Sequence, residues 1–463
     1  MLNRGRLNAS RVAGLGAAAL ILASSTVAAP AGAQTSGAQA ETILTLDLLN
    51  SGTHDDDTGV PGVTRTTYAY TGTSGPYKVN VVLVDPDKAP LTLKGTYGSG
   101  MAAAQTTTSM LQGVSTNLLR RPRAGVNGGF FDIDATDPSA PPYSGDVAGV
   151  VIRNGRLLSE AVRGKGDKPV GSALVLQHGR VYITELNTTL TVQPKDGSVP
   201  PRQLDGINRF PGRNAHCEGA AEADADETYE NGVCTDPSEI VSFTPEYGAN
   251  TPTTAAKALG NDPDHPNEPG TISLDGGIEV VLDANDTVLA RYEPRGGRAV
   301  PVGGRILQGI GEGAVWLRAN AAVGSQLKVS ETLVDTRFGD DIPLSPSLNA
   351  TAGGDLLVRN TAVEYVQPAG TTDSAVARTA IGTDGYGRMM LVTVDRGSAS
   401  KGATRLEMAN LLRDLGAVDA LNMDGGGSTT LVWQNALANT PSDGKERAVA
   451  DAVFAGPGGY PLQ

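Results

Sequence analysis

The chain has 463 residues, enough for a large core and roughly one to three domains; 39% hydrophobic and 19% charged residues fit a soluble globular protein. Glycine (59) and proline (28) are abundant and aromatics make up only 4%, which favours many short strands and turns over long helices. The net charge of −13 argues against a general affinity for nucleic acid.

The first residues read as an export signal. Arg4, Arg6 and Arg11 form a basic start, Val12 to Val27 is mostly apolar and small, and Ala31-Gly32-Ala33 is an A-x-A site. Residues 1–33 are therefore expected to be removed. Three arginines and no acidic residue leave with them, which takes the charge from −13 to −16. The alternative, an uncleaved anchor, suffers from a short, Ala/Gly-rich apolar stretch. No other segment is long and apolar enough to span a bilayer, so a secreted protein without stable membrane insertion is expected. Cys217 and Cys234 are the only cysteines. In an exported chain such a pair reads as a disulfide, with a loop-closure contribution of about 3 kcal/mol.

Residues 34–76 are expected to hold a loose leader and the first strands, with His54-Asp55-Asp56-Asp57 as a solvated acidic loop. From Tyr77, alternating Val79, Val81 and Leu83 predict a strand stopped by Asp85-Pro86. Thr106 to Leu119 suits a short helix. Gly125-Val126-Asn127-Gly128-Gly129-Phe130-Phe131-Asp132 then delivers a short strand to Asn-Gly-Gly and a carboxylate. A type I′ hairpin turn is the plain alternative there. Hairpins are expected at Val147–Ile152 with Leu157-Leu158, Ala173–Leu176 with Val181–Thr184, Ile278–Leu282 with Val288–Tyr292, and Asp355–Val358 with Val363–Val366. Between them, about 210–238, lies a polar insertion that carries both cysteines and reads as a surface loop or lid.

Arg378-Thr379-Ala380-Ile381-Gly382 precedes a strand at Met389–Val394. Thr404 then reads as a helix N-cap with Glu407 completing a capping box. Met408, Leu411, Leu412 and Leu415 share one helical face, and Gly416 ends the helix. A short strand leads to Asn422-Met423-Asp424-Gly425-Gly426-Gly427-Ser428. Three glycines there can turn backbone N–H groups onto one ligand, beside an aspartate at a strand end. A tight corner with Asp424 as a turn residue is the plain alternative.

Asn127-Gly128-Gly129-Phe130-Phe131, Ile207-Asn208-Arg209, Phe243-Thr244-Pro245-Glu246-Tyr247-Gly248, Gly353-Gly354, Arg378-Thr379-Ala380-Ile381-Gly382, Asn422 to Ser428 and Glu446-Arg447 occur in that order. Together, from about Tyr77 to Phe454, they resemble the phosphodiester glycosidase family. The resemblance implies one catalytic domain over 77–463 that hydrolyses a sugar-1-phosphodiester at its glycosidic bond, giving a sugar and a phosphomonoester. Phosphate-linked carbohydrate of a cell wall or extracellular glycan is the expected partner. The chain departs from the family's Gly-Gly-Pro by placing Asp355 after Gly353-Gly354. It also reads Asp395-Arg396-Gly397 where the family has Asp-Gly-Arg, so Arg396 receives no role.

The residue types suit this chemistry. A phosphate leaving group, with a second pKa of about 6, needs little protonation. What the site needs is donors for the phosphate and carboxylates for the oxocarbenium-like centre and the water. Arg378 and then Arg447 are the phosphate candidates, with the Gly425–Ser428 amides. Asp424 and Asp132 are the carboxylate candidates, with Glu446 third. Asn127 and Asn422 either bind sugar hydroxyls or serve turns. Gly128, Thr379, Gly425, Gly426 and Ser428 complete the substrate-binding set. A serine-nucleophile role for Ser428 is disfavoured because no histidine belongs to a triad-like motif. No cofactor is expected. Acidic loops permit a structural calcium ion, although no loop has calcium-binding spacing. The competing reading is an exported domain that binds phosphate-linked glycan without cleaving it. The fold class expected is α+β, a mixed, largely antiparallel sheet core with a few helices and long loops over the site.

Overall fold

A computed structural model describes residues 44–457 except 74, 89–90, 118–119, 132–145, 162–170, 179, 216–227, 231–232, 254–275 and 369; within 213–235 it describes backbone alone. The leader expected at 1–33, Asp132 and Cys217 lie outside the described residues, as does the side chain of Cys234, and with them the expected disulfide.

The elements around Asp424 are, in chain order, β1 (Thr53–Val60), β2 (Val63–Tyr70), β3 (Tyr77–Val84), β4 (Leu91–Thr96), helix α1 (Thr107–Gly113) and β5 (Ala124–Asn127). They continue with β6 (Asn349–Ala352), β7 (Leu356–Arg359), β8 (Arg378–Thr383), β9 (Met389–Val394), α2 (Arg405–Asp414), β10 (Asp419–Asn422), β11 (Leu431–Trp433) and β12 (Ala452–Pro457). One sheet runs β1-β2-β3-β9-β8-β10-β7 and ends on the short strand Ala362–Val363. Its pairings are antiparallel. The expected class, an α+β fold with a largely antiparallel core, is what the chain adopts.

Alternation along the strands gives this sheet two buried faces. Ala380, Val392, Val394 and Ala420 face α2, where Met408, Leu411 and Leu412 pack against them. Ile381, Leu391 and Leu421 face the other way, against Leu93, Val126, Leu431 and Val453 of a second sheet that contains β11-β5-β12-β4. The helix forms where expected. Thr404 accepts from Glu407 N at 3.0 Å while the Glu407 side chain accepts from Thr404 N at 2.8 Å, and Gly416 takes φ +92° just beyond it. β9, α2 and β10 thus form a crossover that leaves room for β8 between the two strands.

Two expectations change. His54-Asp55-Asp56-Asp57 is no loop: it lies in β1, paired residue by residue with β2. The strand is at the sheet edge, so it satisfies its backbone on one side; Asp55 and Asp56 are exposed, while half-buried Asp57 accepts from Trp433 Nε1 at 2.7 Å. The helix expected from Thr106 to Leu119 stops at Gly113, after about two turns.

A further set of strands builds the rest of the chain. Ser172–Gln177 pairs with Arg180–Pro194, and Ile278–Leu282 with Val288–Tyr292, as the hairpin signals indicated.

Candidate active site at the Asp424 corner

β10 and β5 end side by side, and their ends are knotted together by one side chain. Asn127 is fully buried. Its Nδ2 donates to Asp424 O at 2.8 Å and Gly128 O at 3.3 Å. Its Oδ1 accepts from Thr379 Oγ1 at 2.8 Å and Thr430 N at 3.1 Å. Four bonds saturate a carboxamide. These four bonds make Asn127 a tether between segments rather than a turn residue, and Thr379 shares in it. Asp424 N adds a bond to Gly128 O at 3.1 Å.

The Asn127-Gly128-Gly129 segment is not a hairpin turn. Gly128 N and Gly129 N both donate to Asp451, to its carbonyl at 2.8 Å and its Oδ1 at 3.0 Å. A Cβ on Gly128 would fall on the Asp451 carboxylate, so only glycine lets the two segments approach. Asp451 is held in turn by the buried Arg153 at 3.2 Å. Burial pushes the Asp451 carboxyl above the usual aspartate range, against the pull of Arg153. Neither residue belongs to a matched motif, and nothing local in the sequence marks either one.

Asp424 itself is half-buried, with Oδ1 accepting from Gly425 N at 2.8 Å. The glycines after it are less open than an anion nest requires. Gly426 N donates to Ala377 O at 2.8 Å and Ser428 N to Gly425 O at 3.1 Å. Three of the four amides nominated for phosphate are thus engaged inside the chain. Over Gly427 lie the Arg447 guanidinium and the Asp443 carboxylate, close to where a Cβ would stand. Arg447 is paired with Asp443, at 2.9 Å through Nε and 2.7 Å through Nη2. Glu446 Oε1 accepts from Thr108 N at 2.7 Å, a contact at the start of α1.

Arg378 approaches from the start of β8. Its Nε donates to Ala403 O at 3.0 Å and its Nη2 to Ser374 O at 2.9 Å and Asp373 Oδ1 at 3.3 Å. Nη1 stands 3.8 Å from where a Cβ on Gly425 would be. Burial works against the guanidinium charge and Asp373 supports it. Asn422 Oδ1, Ser428 Oγ and Thr429 Oγ1 are buried at the same corner with no hydrogen-bond partner among the described residues. A polar ligand at this corner would give these three atoms partners.

The Asn208 motif serves the scaffold. Asn208 Nδ2 donates to Leu158 O and Thr244 Oγ1, joining two of the matched segments. Arg209 beside it bridges Glu160 at 3.0 Å and Glu239 at 3.0 Å. Next to them the Asp205 carboxyl is pushed up to about 7 by burial and then by the Glu239 charge.

Residues 272–455 match the family model for phosphodiester glycosidase. Over these residues the chain is similar to the phosphodiester glycosidase family. The matched residues include Arg378, the Asp424 corner, Glu446 and Arg447. Curated relatives align over shorter stretches. The N-acetylglucosamine-1-phosphodiester alpha-N-acetylglucosaminidase of Mus musculus is 34% identical over 115 residues, 22% of either chain. That of Homo sapiens is 45% identical over 67 residues, 14% of this chain and 13% of the human one. The SPbeta prophage-derived uncharacterized protein YomE of Bacillus subtilis is 35% identical over 108 residues, 23% of this chain and 17% of its own. The chain therefore spans about a fifth or less of the length of these relatives. A crystal structure of a Burkholderia pseudomallei protein assigned to export superposes with a TM-score of 0.67 and 26% identity, over 84% of this chain and 75% of that one. A Synechocystis protein shares the fold with a TM-score of 0.59 and 19% identity, over 87% and 63%.

Proposed function

We propose that this protein is a phosphodiester glycosidase that hydrolyses the bond between a sugar C1 and a phosphate oxygen, with Asp424 as the central carboxylate. The observation that carries the reading is the corner itself: a half-buried aspartate at a strand end, with Arg378 beside Gly425 and, within five residues of Asp424 along the chain, three buried polar atoms that have no partner among the described residues. The names of the mammalian relatives state the same reaction class for those enzymes. Asp424 attacks the anomeric carbon or deprotonates water, and Asp132 is the second carboxylate. Arg378 receives charge on the departing phosphate; with three of its donors anchored, it needs little reorganisation as that charge grows. Asn422, Ser428 and Thr429 supply partners for sugar hydroxyls. Removal of the leader at Ala33 and a disulfide between Cys217 and Cys234 complete a secreted enzyme acting on cell-wall or extracellular glycan.

The test is to incubate the protein with an α-linked sugar-1-phosphodiester in labelled water. Sugar release with the label in the sugar supports the reading, as does a fall of about 100-fold or more in Asp424→Asn. Label in the phosphate points to cleavage at phosphorus. Binding without release, unchanged by Asp424→Asn, favours a non-catalytic glycan-binding domain. Either result overturns the proposal.

A further inference from the structure

Beside the Gly425 end of the corner, Arg378 belongs to a chain of charges. Asp373 sits at the start of α2 and accepts from Arg405 N at 3.0 Å and Leu406 N at 3.1 Å. The same carboxylate holds Arg378 Nη2 and Arg405 Nε, each at 3.3 Å. Arg405 Nη1 then reaches Asp355 Oδ2 at 2.7 Å. The Asp355 carbonyl accepts from Asn422 N at 3.0 Å, two residues before Asp424.

Tyr365 lies beneath it, with the Arg405 guanidinium 4.9 Å from its ring centroid. Its hydroxyl is buried and meets no hydrogen-bond partner among the described residues. The charges that act on this phenol are those of Arg405, Asp373, Asp355 and Arg378. A buried hydroxyl left unpaired costs about 1–3 kcal/mol. Here the ring lies under the Arg405 guanidinium, which shares Asp373 with Arg378.

Asp355 differs from the other members. Its side chain is 41% exposed, against 4% for Asp373. A carboxylate so exposed can turn into water at little cost. Its departure would leave Arg378 and Arg405 facing Asp373 alone, a net positive pocket with a phenol O–H to spare.

We propose that Arg405 and Tyr365, beside Arg378, form a subsite for the phosphate of the substrate, and that Asp355 occupies Arg405 as an internal anion until phosphate displaces it. The inference rests on the glycosidase reading for its position, and it adds a specificity: a dianionic phosphomonoester competes better than a monoanionic diester. The released phosphomonoester is therefore an inhibitor, and Asp355 limits that inhibition.

Inorganic phosphate is the probe, titrated calorimetrically into the full chain near neutral pH and low salt. Asp355→Asn is expected to tighten phosphate binding by about fivefold or more, Arg405→Met to weaken it by about tenfold, and Tyr365→Phe to weaken it by a few-fold. Arg405→Lys, which keeps the charge, should fall between wild type and Arg405→Met. Thermal melts establish that each variant is folded, and Asp355→Ser serves beside Asp355→Asn at this half-exposed position. Unchanged or weakened binding in both Asp355 variants overturns the proposal, as does wild-type affinity in Arg405→Met. Sugar release is measured in parallel. Phosphate binding that follows these substitutions in a protein that releases no sugar would uphold the subsite and sink the glycosidase reading. Sugar release with phosphate inhibition indifferent to all of them would do the reverse.

Discussion

Replacing Asn127 with alanine tests whether this residue is a tether or a ligand. The substitution deletes four hydrogen bonds, two given to Asp424 O and Gly128 O and two received from Thr379 Oγ1 and Thr430 N. The buried Thr430 N–H and the half-buried Asp424 carbonyl lose these partners, and each such group costs about 1–3 kcal/mol when left unmade. With some relaxation the loss should be roughly 3–4 kcal/mol, near the upper end for a single substitution. Asn127→Asp sharpens the test. It keeps the shape and both accepted bonds, but its carboxylate faces two carbonyl oxygens and cannot donate. It should be at least as unstable at neutral pH and partly rescued in acid, where one O–H returns. Urea unfolding followed by tryptophan fluorescence reads this directly, since Trp433 lies on β11, which pairs with β5. A wild-type unfolding midpoint in Asn127→Ala, with only KM raised, would refute the tether and make Asn127 a sugar ligand.

Asp451→Asn leaves Arg153 buried without its counter-charge and should lower stability by roughly 3–5 kcal/mol in urea titration; an unchanged midpoint would show that the pair does not hold the Gly129 corner. Thr404→Ala removes half of the capping box and should cost about 1 kcal/mol, with a cost near zero arguing against the cap. The Asp205 carboxyl predicts a pH trend. It keeps its proton in the folded chain up to about 7 but releases it near the ordinary value of about 3.9 when unfolded. Between those limits the folded state binds more protons, so its contribution is full in acid and is lost as pH rises through about 7. Unfolding midpoints measured across that window should fall, and Asp205→Asn should flatten the fall; a rise in wild type would contradict the assignment.

Local signals made some of this fold legible. Thr404 and Glu407 bond each other within one turn, and the strand around Val79 alternates on its own, so neither needs the rest of the chain to be recognised. The Asp424 corner was visible for the same reason, since a strand, an aspartate and three glycines are contiguous. What the corner does with its amides was not visible. Glycine content tells which N–H groups can turn, whereas Ala377 O, brought there by the fold, decides where Gly426 N goes. The supports of the site were hidden altogether. Arg153 and Asp451 lie 298 residues apart, and Arg405 and Asp355 50 apart, and each alone looks like an ordinary surface charge. The acidic β1 misled in the opposite direction. Its composition suggests a loop, yet an edge strand needs partners on one side only.

That edge strand also bears on how the chain behaves in a crowd. Among the described residues no strand pairs with the outer side of β1, so this rim of the sheet has backbone groups to offer a passing strand, including the same strand of another copy. A second copy docking antiparallel there would bring Asp55, Asp56 and Asp57 against their own counterparts. Like charges that close repel, so the rim refuses itself without any covering segment. This guard is electrostatic and therefore conditional: acid or high salt removes it, and self-association by strand addition should begin at this rim under those conditions.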